Sequence, residues 1–393
     1  MPDNDAGLFD ELSGLDEPSL RKRVRAFAEE VVAPRAAEMD AAARLDEAVI
    51  GAMGELGLYG LAVPRAHGGL GGDYRALCVA IEELARVDSA TAIALEAGVS
   101  LGMMPILRFG TPEQRARWLP ALASGREVAA FGLTELEGGS DWRAMRTRAV
   151  LDGGEWVLNG AKAYITNAGL ERSTVVTVAA VTGEDAKGRP EITTILVPVG
   201  TPGFTIGARR PKIGWRGAAC TDLDFDNVRV PAANQLGERG RGLRNMLGIL
   251  DEGRVAIAAM ATGVIQGCID ESVAYATRRR AFGAPIGSHQ AVAFKIADMR
   301  VRAHLARLAW TDAADRLLAG EPFATEAAMA KLFASEAAVT SARDAVQVWG
   351  GAGYMDETPV ARFYRDAKVL EIGEGTSEVM RMLIARSLGL DVH

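Results

Sequence analysis

The feature that most constrains the fold is a double change in the spacing of apolar residues along the chain. Up to about residue 124, apolar side chains recur at helical spacing, as at Leu20, Val24, Phe27 and Val31. From residue 129 short apolar segments follow one another, separated by Gly, Pro and Asp, which is typical of β-strands. Beyond residue 240 long helical segments return. Helices and strands do not alternate, and this disfavours a dinucleotide-binding α/β domain.

The pattern predicts a mostly α protein with a middle β domain, divided at residues 1–128, 129–239 and 240–393. The predicted strands are short and indicate a small barrel or sandwich; they lie at 129–134, 156–160, 163–167, 174–180, 192–198, 204–208 and 221–225. We expect 156–160 and 163–167 to pair as a hairpin. The later helices, at 243–279, 290–318, 325–349 and 377–388, predict an antiparallel four-helix bundle.

Composition narrows the function classes. A net charge of −7 over 393 residues gives no global bias towards nucleic acid or an anionic membrane. The apolar run 255–265 is too short for a membrane span and predicts a buried helix. Three scattered cysteines and four histidines without ligand spacing predict reduced thiols and no metal site. The acidic N-terminus differs from a signal peptide, so we expect a cytoplasmic protein.

A carboxylate isolated between two glycines, Glu374 between Gly373 and Gly375, precedes the last predicted helix. Glycine lets the backbone bend and approach a ligand closely, and Thr376 or Ser377 can cap the helix. A carboxylate held on such a loop and shielded from water gains a raised pKa and can accept a proton. Taken alone, the stretch slightly favours a surface glutamate at a helix start.

Six motifs in a fixed order reverse that preference. They are FGLTExxxGSD at 131–141, LNGxKxYITN at 158–167, LDxxR at 250–254, YAxxRxxFG at 275–283, DAVQxxGG at 344–351 and GEGT at 373–376. Each motif is weak by itself, but the six in register span nearly the whole chain. At these distances the sequence resembles the acyl-CoA dehydrogenase family.

The resemblance implies an N-terminal helical domain, a middle β-barrel and a C-terminal four-helix bundle. It implies bound FAD, a homotetramer built as a dimer of dimers, and α,β-dehydrogenation of an acyl-CoA in fatty acid or branched-chain amino acid breakdown. Glu374 matches the family's base, which takes the α-proton while the flavin accepts a hydride from the β-carbon. The electrons then pass to an electron-transfer flavoprotein.

The resemblance also assigns cofactor contacts. Around the flavin ring it places Phe131, Leu133, Thr134, Ile165 and Thr166. Arg279 matches an arginine that reaches the FAD pyrophosphate of a neighbouring subunit, with Phe282 beside the cofactor. On the adenosine side and at the start of the last helix it places Gln290, Gln347, Gly350, Gly351, Thr376 and Glu378. Without the motifs, Thr134 and Thr166 would be ordinary strand threonines.

Substrate contacts follow in the same way. The resemblance places Ser140, Asp251, Arg254 and Gly375 beside the acyl-CoA, although Asp251 and Arg254 could also be a helix-surface ion pair. Gly373 stands where a tyrosine is common, which favours a short or branched acyl group. Ala92 stands where glutaryl-specific members carry arginine, so we discount a decarboxylating enzyme.

Two other glutamates, Glu252 and Glu96, lie on helices that contribute to the active site in the family. Some family members carry the base on the helix of Arg254, at a position that is Gly253 here. Glu252 is one residue away and should point about 100° around the helix, missing the substrate. Glu96 lies on a helix that lines the acyl pocket in the family, but we expect it to face solvent.

Other functions remain open on the same scaffold. They are a flavin oxidase or monooxygenase, a dehydrogenase acting on acyl groups of a carrier protein, and a non-catalytic flavoprotein. An intact base argues against the first and the last. The carrier-protein alternative stays open because the pantetheine arm is shared.

Overall fold

The computed structural model describes residues 11–184 and 187–392, and it has the predicted order of helical, β and helical regions. The first ten residues, to which the signal-peptide expectation applies, lie outside the described range. The mostly α class with a middle β region is therefore confirmed.

The N-terminal region contains seven α-helices within the residues that the structure describes. They are α1 (Glu17–Phe27), α2 (Ala33–Ala42), α3 (Glu47–Glu55), α4 (Tyr74–Ala85), α5 (Ser89–Glu96), α6 (Met104–Phe109) and α7 (Pro112–Ala123). Capping chemistry fixes several of the starts, because Asp16, Asp46, Asp73, Asp88 and Thr111 each accept a hydrogen bond from a first-turn N–H.

A continuous apolar stretch joins α5 to α6 through a π-helical turn, Ala97–Met103. This stretch, Ser89–Phe109, is long and apolar enough to cross a bilayer, but 89% of its most apolar window is buried inside the protein. It therefore serves here as a core helix. Every residue of α5 is buried, including Glu96.

The middle region is one sheet of eight described strands. They are β1 (Val128–Gly132), β2 (Arg148–Asp152), β3 (Glu155–Thr166), β4 (Ser173–Glu184), β5 (Pro190–Pro198), β6 (Phe204–Ile206), β7 (Cys220–Pro231) and β8 (Gln235–Leu236). Their order is β6-β7-β3-β2-β4-β5-β8, and β1 runs parallel to β4. The end strands β6 and β8 do not pair with each other in the described residues, so the predicted barrel closure is not observed.

The predicted hairpin between 156–160 and 163–167 is wrong, because both segments belong to the single strand β3. The actual hairpin joins β2 to β3, and its turn is Gly153 and Gly154, both with positive φ. Gly160 marks a bulge instead of a turn. A Cβ on Gly160 would lie 2.6 Å from the Cα of Thr147, so glycine permits the backbone at Thr147 to approach closely.

From residue 240 to residue 392 the structure describes five α-helices. They are α8 (Gly242–Arg278), α9 (Gln290–Ala319), α10 (Ala324–Trp349), α11 (Pro359–Leu370) and α12 (Ser377–Ser387). A short hairpin, β9 (Arg280–Ala281) with β10 (Ala284–Pro285), follows α8. The predicted buried helix over 255–265 is confirmed as the middle of α8. The helix α11 was missed, so four predicted helices become five.

Candidate active site

Glu374 lies on the loop between α11 and α12, and the backbone there has an unusual conformation. Its φ is 55°, in the left-handed region that non-glycine residues rarely adopt, and Gly375 follows at 101°. The Thr376 side chain caps α12 by accepting from the N–H of Val379 at 3.2 Å. The Glu374 N–H has no acceptor within the described chain. The loop thus presents a carboxylate and a free backbone donor together.

Both carboxylate oxygens of Glu374 are buried and receive no hydrogen bond from a donor in residues 11–184 and 187–392. Burial raises the pKa of this carboxyl to about 7, although the nearby charges of Lys331 and Arg254 act in the opposite direction. A carboxylate with a pKa near neutrality is suited to take a proton from a weakly acidic carbon.

The carboxylate fits against α8 because residue 253 is glycine. A Cβ on Gly253 would overlap Oε2 of Glu374 and lie 3.1 Å from its Cδ. Glu252, as expected from its one-residue offset, pairs elsewhere, with Nη2 of Arg108 donating to Oε2 at 3.1 Å. Only one of the two glutamates near this point is therefore free to act as a base.

Two buried cations hold the loop. Nζ of Lys331 donates to the carbonyl of Gly375 at 2.6 Å, and Nε of Arg254 approaches the carbonyl of Glu374 at 3.4 Å. Arg254 also pairs with Asp251, so the helix ion pair considered from the sequence exists and still faces the site. Burial lowers the pKa of Lys331 to about 8. Lys331 was missed, although a lone lysine in an alanine-rich stretch of α10 was the available signal.

Glu96 corrects a further expectation, because it is fully buried instead of facing solvent. Its carboxyl group lies beside that of Glu374, and Ser100 is its other polar neighbour. Burial raises the pKa of Glu96 well above its usual value, and the adjacent Glu374 charge raises it further. The carboxyl groups of Glu96 and Glu374 are therefore buried side by side.

The predicted flavin-ring residues lie at the ends of two strands that meet. The N–H of Ala163 in β3 donates to the carbonyl of Thr134, just beyond β1, at 2.9 Å. Phe131, Leu133, Thr134 and Thr166 are half-buried. Ile165 is 3% exposed and packs in the β core, so only its backbone is available to a cofactor.

A second group of predicted cofactor residues lies at the far end of the C-terminal helices. Its members share exposed positions around the ends of α8 and α10 and the start of α9: Arg279, Phe282, Gln290, Gln347, Gly350 and Gly351. Stacking of Tyr275 on Trp349, with ring centroids 4.4 Å apart, holds the two helix ends together. Phe282 is 96% exposed at a φ of 49°.

The Glu374 carboxylate and this second group of residues lie far apart within one chain. Twenty-five residues of continuous helix separate Gly253, which contacts Glu374, from Arg278 at the end of α8. At 1.5 Å per residue this is about 38 Å. Of the remaining predicted residues, Ser140 and Glu378 are exposed, and Asp251, Gly375 and Thr376 are half-buried around the loop.

The residues present fit a flavin dinucleotide. The half-buried apolar and threonine side chains at the strand ends suit a flavin ring. Arg279, which has no ion-pair partner among the described residues, suits a pyrophosphate. A Cβ on Gly350 or Gly351 would meet no atom within 4 Å, so both backbones are open to a ligand.

A buried, unpaired base and a set of flavin-compatible residues in one chain are typical of an oxidoreductase that acts on a carbon acid, and comparison with known proteins specifies the class. Family models described as the N-terminal, middle and C-terminal domains of acyl-CoA dehydrogenase match residues 16–126, 130–228 and 240–389. The chain belongs to the acyl-CoA dehydrogenase family, whose members are flavin-dependent oxidoreductases.

Individual relatives agree over nearly full length. The probable acyl-CoA dehydrogenase YngJ of Bacillus subtilis (strain 168) is 44% identical over 373 residues, 95% of this chain and 98% of the relative. The mitochondrial short-chain specific acyl-CoA dehydrogenase of Mus musculus is 42% identical over 94% of this chain and 89% of its own. The structure of butyryl-CoA dehydrogenase from Megasphaera elsdenii superposes with a TM-score of 0.92 at 38% identity, covering 95% and 98% of the two chains.

Proposed function

We propose that this protein catalyses FAD-dependent α,β-dehydrogenation of a short or branched acyl-CoA to the 2-enoyl-CoA, with Glu374 as the base. The observation that carries the proposal is the buried, unpaired Glu374 carboxylate with its raised pKa. Bound FAD would supply the acceptor for the hydride that leaves the β-carbon.

Glu374 takes the α-proton, and negative charge develops on the thioester oxygen as it does so. That charge needs hydrogen-bond donors placed before the reaction. The free N–H of Glu374 is such a donor, and the Lys331 and Arg254 contacts to the Gly375 and Glu374 carbonyls hold the loop that carries it. The base and its oxyanion donor therefore belong to one residue.

The preference for a short or branched acyl group rests on the space around the base. A Cβ on Gly373 would meet only the Val369 carbonyl, at 3.5 Å, so the loop leaves room beside the reacting carbons. Leu101 also lies near the base, with Cδ2 3.3 Å from where a Cβ on Gly253 would stand. Similarity to short-chain and butyryl-CoA dehydrogenases supports the same preference.

The 38 Å separation described above supports completion of the cofactor site by a second subunit. We propose that Arg279, Phe282 and Gln347 serve the FAD of a neighbouring chain in a homotetramer arranged as a dimer of dimers. One face of α9 supports an assembly, because Phe294, Val301, Leu305 and Leu308 recur at helical spacing and are each about half exposed. We further propose an electron-transfer flavoprotein as acceptor and a cytoplasmic location.

The substrate is tested by anaerobic mixing of the FAD-loaded protein with a panel of saturated acyl-CoAs, following flavin absorbance and identifying the product. We expect fastest bleaching with short or branched acyl groups and formation of the 2-enoyl-CoA. Faster bleaching by long straight chains would contradict the chain-length proposal. Bleaching only by carrier-protein thioesters would move the reaction to that substrate class.

A further inference from the structure

The most unusual group outside the assigned machinery is the Glu96 carboxyl. It lies where α5 passes into the π-helical turn, and none of its surface is exposed. Neither oxygen accepts a well-formed hydrogen bond from any donor in the described residues. A buried carboxylate without a partner is strongly unfavourable, so this group needs a proton or a ligand.

Every charged or titratable neighbour of the two carboxyls can be accounted for. Lys331 and Arg254 face Glu374, but they hold the loop carbonyls and, for Arg254, Asp251. From α4, Tyr74 and Cys78 face Glu96, and Tyr74 donates to Oγ of Ser100 at 3.0 Å. Glu252 also faces Tyr74 and Cys78 but is neutralised by Arg108. No cation in the described chain forms an ion pair with Glu96.

Two facing carboxylates repel each other unless one of them holds a proton. With one proton present, the pair forms a charge-assisted O–H···O hydrogen bond, which is among the stronger hydrogen bonds in proteins. Since Glu374 must be ionised to accept a proton, Glu96 must be the neutral partner. The tyrosine–serine pair beside Glu96 supplies a polar environment for it without adding charge.

We propose that Glu96 is a positioning residue that stays protonated and donates a hydrogen bond to the Glu374 carboxylate. This rests on the proposed role of Glu374 as the base. The bond fixes one carboxylate oxygen and leaves the other for the α-proton. When Glu374 takes that proton, both groups are neutral acids, and no other proton moves. The hydrogen bond lowers the pKa of Glu374, while burial raises it.

The proton is located by infrared spectroscopy of the FAD-loaded protein without substrate, titrated from neutral to alkaline pH. We expect a buried protonated-carboxyl band that Glu96→Gln abolishes and Glu374→Gln retains. The matched control is Asp366→Asn, which removes another buried carboxyl, one whose pKa burial raises to about 7. Asp366→Asn should remove only the infrared band of Asp366 and leave the band assigned to Glu96 unchanged. Loss of the band in Glu374→Gln with retention in Glu96→Gln would overturn the proposal, and neither result depends on turnover.

A kinetic measurement distinguishes hydrogen bonding from packing. Glu96→Leu removes the hydrogen-bond donor, which should raise the pKa of Glu374. The acidic side of the pH profile for flavin reduction should therefore move to higher pH. We expect at least tenfold slower reduction below neutral pH, with recovery at alkaline pH. Glu96→Gln keeps an N–H donor and should hold that side of the profile near its wild-type position. Overlapping pH profiles for wild type and a folded Glu96→Leu would overturn the proposal; if that variant does not fold, the infrared comparison of the two Gln variants decides.

Discussion

At the scale of single residues, the site is built around the Glu374 carboxylate, which neighbouring side chains surround and which occupies the space left by Gly253. Glu374 and Arg254 could be predicted from sequence because each belongs to a recognisable motif. Glu96 could not, because α5 is buried on all sides and apolar spacing then gives no direction for a side chain. Its burial follows from tertiary packing against the loop of Glu374, which local sequence does not encode.

The absence of a side chain at Gly253 leads to a prediction about substitution at that position. In Gly253→Ala the added methyl would overlap Oε2 of Glu374 and displace the carboxylate. Misplacement by about 1 Å can cost on the order of 100-fold in rate, so we expect a loss of that size in flavin reduction. Thermal stability should change little, because the obstructing atom ends a flexible side chain.

Gly248→Ala is the matched control for that substitution. It lies on the same helix, and its Cβ would meet no atom within 4 Å. We expect wild-type reduction and, from helix propensity, equal or slightly higher thermal stability. A Gly253→Ala protein that reduces flavin at the wild-type rate would show that the carboxylate does not need this position.

At the scale of elements, the sequence predicted the helices with long apolar periodicity. It failed where glycine and proline residues at turns and helix starts were misinterpreted. The long helices α8, α9 and α10 were predicted nearly to their ends. Gly160 was placed at the end of a short strand before a turn, but its pairing with β7 shows that it lies at a bulge within β3. The missed α11 had readable signals, since Thr358 caps it, Pro359 begins it, and Val360, Phe363, Ala367 and Leu370 form a buried stripe.

At the scale of the whole molecule, the length of α8 is the observation behind the proposal that a neighbouring chain completes the cofactor site. The helix places the Glu374 surface and the Arg279 surface at points about 38 Å apart. The motifs predicted both groups of residues but not their separation, which is a property of the assembled helices. In the proposed homotetramer, each chain would contribute residues to its own FAD site and to that of a neighbour.

That separation predicts different behaviour for two neighbouring arginines. Arg279→Gln removes the proposed pyrophosphate contact, so we expect at least a tenfold loss of FAD affinity, measured from flavin absorbance after gel filtration. Arg278→Gln, one position away at the end of α8, should retain FAD and serves as control. Equal FAD content in both variants would contradict the assignment of Arg279 to the cofactor.

Glu374 is the group proposed to take the α-proton, and the other proposed roles at the site depend on it. The decisive measurement is rapid anaerobic mixing of the FAD-loaded protein with its best acyl-CoA, comparing wild type, Glu374→Gln and Glu252→Gln. We expect Glu374→Gln to lose flavin reduction by about 100- to 10,000-fold, the range found for general bases, while it still binds FAD. Glu252→Gln should stay within a few-fold of wild type. Normal reduction by Glu374→Gln, or its loss in Glu252→Gln alone, would contradict the account.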